Sequence, residues 1–193
     1  MAARPIAEPL HLFDCVMPCA GADAFLVMSD DRARRLGIPF VRLKGTIERH
    51  NAFAADPVQM RAGWALDRAD LFEQAGAGPE DMDFVQTYDD YPVITLMQIE
   101  DLGFCGKGEG AAFIRRHTFT WEGSFPLNTS GGQLSAGQAG AAGGSLGLVE
   151  ALRQLTGEAE GRQVREAKIG LVSGFGMINF DRGLGSGAAV LGR

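Results

Sequence analysis

Residues 128–144, NTSGGQLSAGQAGAAGG, are the most informative part of this chain. They are polar and dense in glycine, and they lead directly into residues 146–155, LGLVEALRQL, which have the apolar spacing of an amphipathic helix. Glycine accepts left-handed backbone dihedrals and lets a ligand come close to the main chain. The first turn of a helix adds unpaired N–H groups and a partial positive charge. The segment therefore predicts a loop that holds a polar or anionic group at a helix N-terminus, with a flexible linker as the alternative.

The same segment resembles the signature of the C-terminal half of the thiolase superfamily. Residues 128–132 read Asn-Thr-Ser-Gly-Gly and residues 135–143 read Ser-x-Gly-Gln-x-Gly-Ala-x-Gly. That family has Asn-x-x-Gly-Gly followed by Gly-His-Pro-x-Gly-x-x-Gly. Residues 100–110 and 154–164 are similar to the branch that holds sterol carrier protein X thiolases and thiolase-like lipid-transfer proteins. The resemblance extends, in order and without large gaps, from about residue 9 to the C-terminus.

Composition narrows the class of protein. With 193 residues, 46% of them hydrophobic and 22% charged, the chain has the make-up of a globular protein of one or two domains. The net charge of −6 and the lack of a lysine- or arginine-rich block argue against a nucleic-acid partner. The sequence holds neither an apolar run long enough to span a membrane nor the apolar core of a signal peptide. We therefore expect a cytoplasmic protein.

The cysteines and histidines do not suggest a metal site. Three cysteines, an odd number, give no disulfide framework. Cys15 and Cys19 lack a second pair to complete a zinc site, so we expect free, buried thiols. The three histidines are scattered, and their spacing from acidic residues fits no zinc motif.

Hydrophobic periodicity predicts an alternation of strands and helices. The predicted strands span residues 23–29, 40–47, 84–88, 169–173 and 187–191, and the predicted helices span residues 32–36, 57–75, 93–102 and 146–155. Asp56 is the expected N-cap of the longest helix, with Pro57 at its first position. Residues 113–121 are expected to be irregular, with extended pieces. This alternation indicates an α/β layered fold with a mixed sheet between helices.

The resemblance implies a domain organisation. In the thiolase fold, two α/β units form a five-layer αβαβα sandwich. Residues 39–193 resemble one complete C-terminal unit, and residues 1–38 resemble only the last strand and helix of the N-terminal unit. A strand at residues 25–28 would have unpaired backbone groups and would need neighbouring strands. A thiolase N-terminal half, as a separate chain or as a missing part of this one, is therefore an expected partner.

The family's catalytic residues are changed in this chain. Ordinary thiolases use a cysteine nucleophile from the N-terminal half, a Gly-His-Pro histidine, a second cysteine near the C-terminus and an Asn-Glu-x-Phe motif at the oxyanion hole. The region of the nucleophile does not occur in this sequence. Gln138 stands at the position of the histidine and is followed by Ala139, and a glutamine cannot titrate or act as a base. Residues 173–177 occupy the region of the second cysteine and contain none.

Tyr88-Asp89-Asp90-Tyr91 occupies the position of the oxyanion-hole motif, which reads His-Asp-Cys-Phe in the sterol carrier branch. Thiolase-fold aldolases that shorten steroid side chains resemble this pattern, and their retro-aldol cleavage of a β-hydroxyacyl-CoA needs no cysteine. We therefore expect Tyr88 and Gln138 to be catalytic, with Tyr88 at the end of a strand and facing the glycine-rich loop. A tyrosine, with a reference pKa of about 10, serves best as a hydrogen-bond donor or acid. The alternatives are a half-buried structural tyrosine, and a turn or helix cap formed by Asp89 and Asp90.

Substrate contacts are expected mainly from the glycine-rich segment. The expected substrate-binding residues are Asn128, Ser130, Gly131, Gly132, Gly137 and His50. The alternative for the glycines is purely conformational use. His50 follows the second predicted strand and is expected to line the pocket unless it is a surface histidine.

The resemblance implies a function. We expect a thiolase-like protein that acts on acyl-CoA thioesters in carbon–carbon bond cleavage or formation, as an acyltransferase or an aldolase of lipid metabolism. It needs no bound cofactor, because coenzyme A arrives with the substrate. The alternative is a catalytically silent lipid-transfer or scaffolding subunit. By analogy with related proteins, a small OB-fold subunit with a zinc ribbon is a further expected partner, within an oligomer.

Overall fold

A computed structural model describes residues 3–179 and 182–193 of the chain. Within them a mixed four-stranded sheet forms the centre, and a two-stranded ribbon lies near the N-terminus. The strands are β1 (Pro5–Ala7), β2 (Leu10–His11), β3 (Arg42–His50), β4 (Phe84–Gln86), β5 (Ile169–Asn179) and β6 (Arg182–Gly192). The helices are α1 (Asp30–Leu36), α2 (Trp64–Ala75), α3 (Pro92–Asp101), α4 (Gly110–Arg116), α5 (Gly132–Ala136) and α6 (Leu146–Thr156).

The central sheet has the strand order β3-β6-β5-β4. β4 runs parallel to β5, whereas β5–β6 and β3–β6 are antiparallel. The carboxyl end of β4 therefore lies at the same edge of the sheet as the carboxyl ends of β5 and β3. That edge is where open α/β sheets gather their ligands.

Helices cover both faces of the sheet. Since successive residues of a strand point to opposite faces, adjacent apolar residues of the sheet join two different clusters. One cluster includes Trp64, Leu71, Val85, Met97, Leu171 and Val190, and the other includes Phe84, Ala151, Leu155, Val164 and Leu191. Thus α2 and α3 cover one face and α6 covers the other. The predicted α/β layered fold with a mixed sheet between helices is confirmed.

Several predicted elements lie close to their observed positions. α1 begins after Ser29, whose hydroxyl accepts a hydrogen bond from Arg32 N, and ends at Gly37 in the left-handed region. α3, α6, β5 and β6 also occur where periodicity predicted them, although β5 and β6 are longer. Of the helices, α1 and α6 end at glycine, α3 begins at proline and α1 has a capping serine, which are the signals that sequence reading detects.

The predicted start of α2 is wrong. The helix begins at Trp64, with Gly63 as its N-cap, and the Asp56 carboxylate binds the guanidinium group of Arg61 instead of capping a helix. Met60, which lies within the predicted helix at residues 57–75, is 65% exposed. A competing local ion pair thus replaced the predicted cap. The expectation for residues 113–121 is wrong in its first part, because residues 113–116 belong to α4.

Residues 23–29 form neither helix nor strand, contrary to the prediction of a buried strand. Leu26 and Val27 are 82% and 88% exposed. No strand within residues 3–179 and 182–193 pairs with this segment. The division of the chain into the end of an N-terminal thiolase unit (residues 1–38) and a C-terminal unit (residues 39–193) stays a prediction.

The three cysteines are unbridged. Cys15 is partly exposed and Cys19 is exposed, so the expectation of buried thiols at these two positions is wrong. No helix in the described part of the chain is both long and apolar enough to cross a bilayer.

The exposed apolar segment predicts that this chain depends on a partner. Purified alone, the chain should aggregate, because Phe25, Leu26 and Val27 expose apolar side chains in a row. The double substitution Leu26→Ser and Val27→Ser should reduce the aggregated fraction in size-exclusion chromatography with light scattering. The matched control is Val58→Ser, which changes one exposed apolar residue outside this segment. Cooperative unfolding of a soluble monomer by the unaltered chain would contradict the prediction.

Candidate functional site

The structure brings the two predicted catalytic residues together. Tyr88 lies just beyond the carboxyl end of β4, and Gln138 lies just beyond the end of α5. Gln138 Nε2 donates a hydrogen bond of 2.6 Å to the Tyr88 hydroxyl oxygen. Tyr88 thus faces the glycine-rich loop, as predicted. Because the phenol oxygen accepts this bond, its own proton is free to be donated to another group.

The surroundings of Tyr88 favour a protonated phenol. Burial raises the pKa of Tyr88, and the nearby charge of Asp90 raises it further. The hydrogen bond from Gln138 lowers the pKa, but the net shift is upward. Tyr88 is therefore suited to donate a hydrogen bond or a proton, and it is a poor base at neutral pH.

A buried glutamine fixes the main chain of Tyr88. Gln98, on α3, is 0% exposed. Its Oε1 accepts a hydrogen bond of 3.1 Å from Tyr88 N, and its Nε2 donates one of 2.7 Å to Tyr88 O. Ser173 Oγ donates to the same Oε1 at 2.6 Å. Ser173 stands in the region where thiolases have a late cysteine, and here its hydroxyl supports Gln98. The sequence did not reveal Gln98, because its partners lie on other elements.

Asn128 fastens the glycine-rich loop to the end of β4. Its Oδ1 accepts a hydrogen bond of 2.7 Å from Thr87 N. Gly131 and Gly132 follow with φ of 93° and 63°, which favour glycine over any other residue. A Cβ on Gly132 would also collide with the Asp89 carboxylate. These two glycines therefore have a conformational role.

Asp89 caps α5 from the neighbouring strand end. Its Oδ1 accepts a hydrogen bond of 2.7 Å from Gln133 N. Burial raises the pKa of Asp89 to about 6, although bonds from Gln133 N, Leu134 N and the Asn128 side chain oppose the shift. The alternative of a helix cap thus describes Asp89, although the helix is distant in sequence. Burial also raises the pKa of Asp90, whose Oδ1 has no hydrogen-bond partner in the described part of the chain.

A buried polar network on α6 stabilises the glycine-rich loop at Thr129. Glu150, on α6, is 1% exposed. It accepts a hydrogen bond of 2.6 Å from Thr129 Oγ1 and forms an ion pair of 2.8 Å with Arg162 Nη2. Gln154 Nε2 donates to Thr129 Oγ1 at 3.0 Å. Glu150 and Gln154 therefore fix Thr129, the residue after Asn128. Thr129 and Arg162 in turn supply the partners that the buried carboxylate of Glu150 needs.

An N-terminal segment holds the main chain of Gln138. Gln138 N donates to Met17 O at 2.8 Å, and Cys19 N donates to Gln138 O at 3.1 Å. Val16 N donates to Asp90 O at 3.1 Å. Residues 16–19 thereby connect the strand end that carries Tyr88 with the loop that carries Gln138.

These elements enclose a narrow crevice. The residues that line it are Gln86, Thr87, Tyr88, Asp89, Asn128, Ser130, Gly132, Gln133, Gly143, Gly144, Leu146, Gly147, Val172 and Ser173. Three of the predicted substrate-binding residues, Asn128, Ser130 and Gly132, are among them. Gly137 lies outside it, against Cys19.

The structure does not bring His50 to the crevice. His50 ends β3, which is at the far side of the sheet from β4. Its Nε2 lies 2.8 Å from Glu48 Oε1, and its side chain is exposed. His50 is therefore a surface histidine, which was the alternative. It cannot line the crevice, because two strands separate β3 from β4.

Comparisons with known proteins give the family. Residues 45–186 match the family described as "Thiolase C-terminal domain-like". The chain belongs to this family, as the sequence motifs implied.

Curated relatives carry thiolase, lyase and carrier names. Benzoylsuccinyl-CoA thiolase subunit BbsB of Thauera aromatica is 31% identical over 165 residues, which are 84% of this chain and 43% of that protein. The 17-hydroxy-3-oxo-4-pregnene-20-carboxyl-CoA lyase of Mycobacterium tuberculosis is 36% identical over 165 residues, 80% of this chain and 41% of the relative. Sterol carrier protein 2 of Rattus norvegicus is 29% identical over 185 residues, which are 92% of this chain and 34% of that protein. The chain therefore spans less than half the length of these relatives.

A solved structure of an aldolase has the same fold. The match to the Ltp2-ChsH2(DUF35) aldolase has a TM-score of 0.76 at 26% sequence identity. It covers 98% of this chain and 49% of that one.

The raised pKa of Asp89 predicts that the stability of the fold depends on pH. Its folded-state pKa of about 6 lies above the ordinary value of 3.8, so the folded chain binds a proton more tightly than the unfolded chain does. This contribution, on the order of 2–3 kcal/mol, is fully present below about pH 4 and is lost as the pH rises through 6. The stability advantage of the unaltered protein over Asp89→Asn should therefore grow as the pH falls from 7.5 to 4.5.

The measurement is the thermal unfolding of the assembled protein at several pH values. Asp70→Asn, at an exposed position of α2, is the matched control and should show no such trend. A difference between Asp89→Asn and the unaltered protein that is constant with pH would rule out the raised pKa.

Proposed function

We propose that this chain belongs to an enzyme that breaks or forms a carbon–carbon bond in an acyl-CoA thioester. The observation that carries the proposal is the Tyr88–Gln138 pair at the carboxyl end of β4. The pair offers an oriented phenol donor where thiolases have an oxyanion hole and a histidine. The names of two relatives, a benzoylsuccinyl-CoA thiolase subunit and a carboxyl-CoA lyase, support a CoA thioester as the substrate.

A retro-aldol cleavage fits these residues better than thiolysis does. In that reaction a base takes the proton of the β-hydroxyl group, the bond between the α and β carbons breaks, and the electron pair moves into a thioester enolate. The β carbon leaves as a carbonyl compound, and the enolate takes a proton. Hydrogen-bond donors that hold the enolate oxygen lower this barrier. Tyr88, whose pKa is raised, fills the role of donor or proton relay.

Gln138 orients Tyr88 and does not activate a thiol. Its amide neither gains nor loses a proton near neutral pH, so it cannot be the base that generates a thiolate, as the histidine of thiolases does. Its hydrogen bond instead fixes the direction of the phenol oxygen. We propose that the cleavage needs no covalent enzyme intermediate, since a retro-aldol reaction needs no thiolate. No bound cofactor takes part in this scheme.

The enzyme needs a partner in this proposal. The relatives extend well beyond the matched region, and the similar aldolase is named for two components, Ltp2 and ChsH2. We assign the exposed residues 25–27 to the surface that a thiolase N-terminal half covers. A small OB-fold subunit with a zinc ribbon is a second proposed partner. The complete enzyme is then an oligomer of this chain with these parts, in the cytoplasm.

A lipid-transfer or scaffolding role is the second candidate. The observation that favours it is the similarity to sterol carrier protein 2, whose name denotes a carrier. In that case the protein binds a lipid thioester without cleaving it, and the Tyr88–Gln138 contact is structural.

The first test removes one hydroxyl group. In the assembled complex, Tyr88→Phe should lower the turnover of a β-hydroxyacyl-CoA about a hundredfold, because it deletes the donor and keeps the ring. Tyr91→Phe is the matched control: Tyr91 precedes α3 and no bond of its hydroxyl to the crevice occurs among the described residues. The measurement is steady-state release of the carbonyl product.

Two results would decide between the candidates. Equal loss of activity in both variants would contradict a specific role for Tyr88. Binding of lipid thioesters without any cleavage by the unaltered complex would favour the carrier.

Gln138 gives a separate prediction. Gln138→Ala should lower turnover about tenfold or more, the scale of one oriented hydrogen bond. Stability should change little, because residues 17–19 bind only the main chain of Gln138. Gln138→His should not create thiolysis of a β-ketoacyl-CoA, since Gln138 has no cysteine thiolate to activate in this scheme. Appearance of thiolysis in the assembled Gln138→His complex would overturn this assignment.

A further inference from the structure

Two buried polar atoms of the crevice are unpaired. Gln133 Oε1 and Ser130 Oγ have no hydrogen-bond partner within residues 3–179 and 182–193. Gln133 is only 2% exposed, so its amide oxygen cannot be satisfied by bulk solvent. Folded proteins rarely leave a buried amide oxygen without a partner, so an ordered water or a ligand group is expected to bind it. The side chain of Gln133 has no part in the mechanism described above.

The unpaired oxygen lies close to the Tyr88–Gln138 pair. A Cβ on Gly143 would be 2.5 Å from Gln133 Oε1 and 2.8 Å from Gln138 Cγ. The two glutamine side chains therefore converge over Gly143, which has no side chain to separate them. Gln138 in turn holds the Tyr88 hydroxyl. An acceptor and a donor thus lie at neighbouring points of one site.

The size of the crevice limits what can reach Gln133. Its enclosed space has about the volume of one water molecule. A hydroxyl group fits such a space, whereas a carbon chain or a ring does not. The group must also donate a hydrogen bond, because an amide oxygen only accepts.

A β-hydroxyacyl thioester has the matching pair of groups. Its thioester oxygen can accept a hydrogen bond from Tyr88, and its β-hydroxyl can donate one to Gln133. A β-ketoacyl thioester lacks the donor, and its ketone oxygen would face the amide oxygen unfavourably.

We propose that Gln133 Oε1 accepts a hydrogen bond from the β-hydroxyl group of the substrate, and that this contact selects β-hydroxyacyl over β-ketoacyl thioesters. The inference rests on the proposed function, since it assumes that a CoA thioester enters this site. It names the substrate class and makes Gln133 a specificity-determining residue.

The test measures the binding of substrate-like probes instead of catalytic turnover. The probes are three thioethers of coenzyme A with the same chain: 3-hydroxyalkyl, 3-oxoalkyl and unsubstituted alkyl. A thioether has no carbonyl to form an enolate, so the hydroxy probe cannot be cleaved. Dissociation constants are measured by isothermal titration calorimetry on the assembled complex, with Gln133→Met as the variant of similar volume. Gln74→Met on α2, far from the crevice, is the control.

The unaltered complex and Gln74→Met should bind the hydroxy probe about tenfold more tightly than either other probe, the scale of one net hydrogen bond in a buried site. In Gln133→Met the three constants should agree within about twofold. Gly143→Ala keeps the amide but pushes its oxygen aside, and it should also abolish the preference. This second variant tests the same contact if Gln133→Met fails to assemble.

Two results would overturn the inference. One is an unchanged hydroxyl preference in both Gln133→Met and Gly143→Ala. The other is an unaltered complex that binds the three probes equally while still cleaving β-hydroxyacyl-CoA, and this result would leave the proposed function standing. A complex that neither binds the probes nor cleaves the thioester would refute the proposed function together with the inference.

Discussion

The buried carboxylate of Asp89 is the constraint on which the site depends. It ties the end of β4 to the first turn of α5 through the main chain of Gln133. The carboxylate approaches so closely that position 132 must be glycine. Tyr88 precedes this anchor by one residue and Gln138 follows α5 closely, so the anchor sets the distance between them. A hydrogen bond of 2.6 Å between two residues fifty positions apart is a result of this arrangement.

Polar side chains, more than apolar packing, position the glycine-rich loop. Gln98 fixes Tyr88 from α3, and Glu150 fixes Thr129 from α6. Both are almost fully buried. Burying such groups is unfavourable unless every partner is in place, so the network favours one geometry strongly. An apolar support would pack as well but would leave the loop free to shift by small steps.

The sequence predicted the architecture well, because periodicity and helix-end signals are local. The strands after residue 168, the helix after the glycine-rich segment and the approach of Tyr88 to the loop all followed from pattern or family resemblance. The start of α2 was missed because Asp56 has a second option, an ion pair with Arg61. The strand expected at residues 23–29 did not form, because a strand needs neighbouring strands and the described residues supply none beside this segment. Gln98, Gln133 and Glu150 were missed because their roles depend on contacts between distant segments.

The main chain of Gln138 is held independently of its side chain. Its N–H and C=O groups are both bound by residues 17–19, and its side chain alone contacts Tyr88. The position of the main chain at residue 138 therefore does not depend on which side chain the residue carries. Evolution can exchange the residue there, from the histidine of thiolases to the glutamine of this chain, without rebuilding the loop. One family framework can in this way serve different reactions through single replacements.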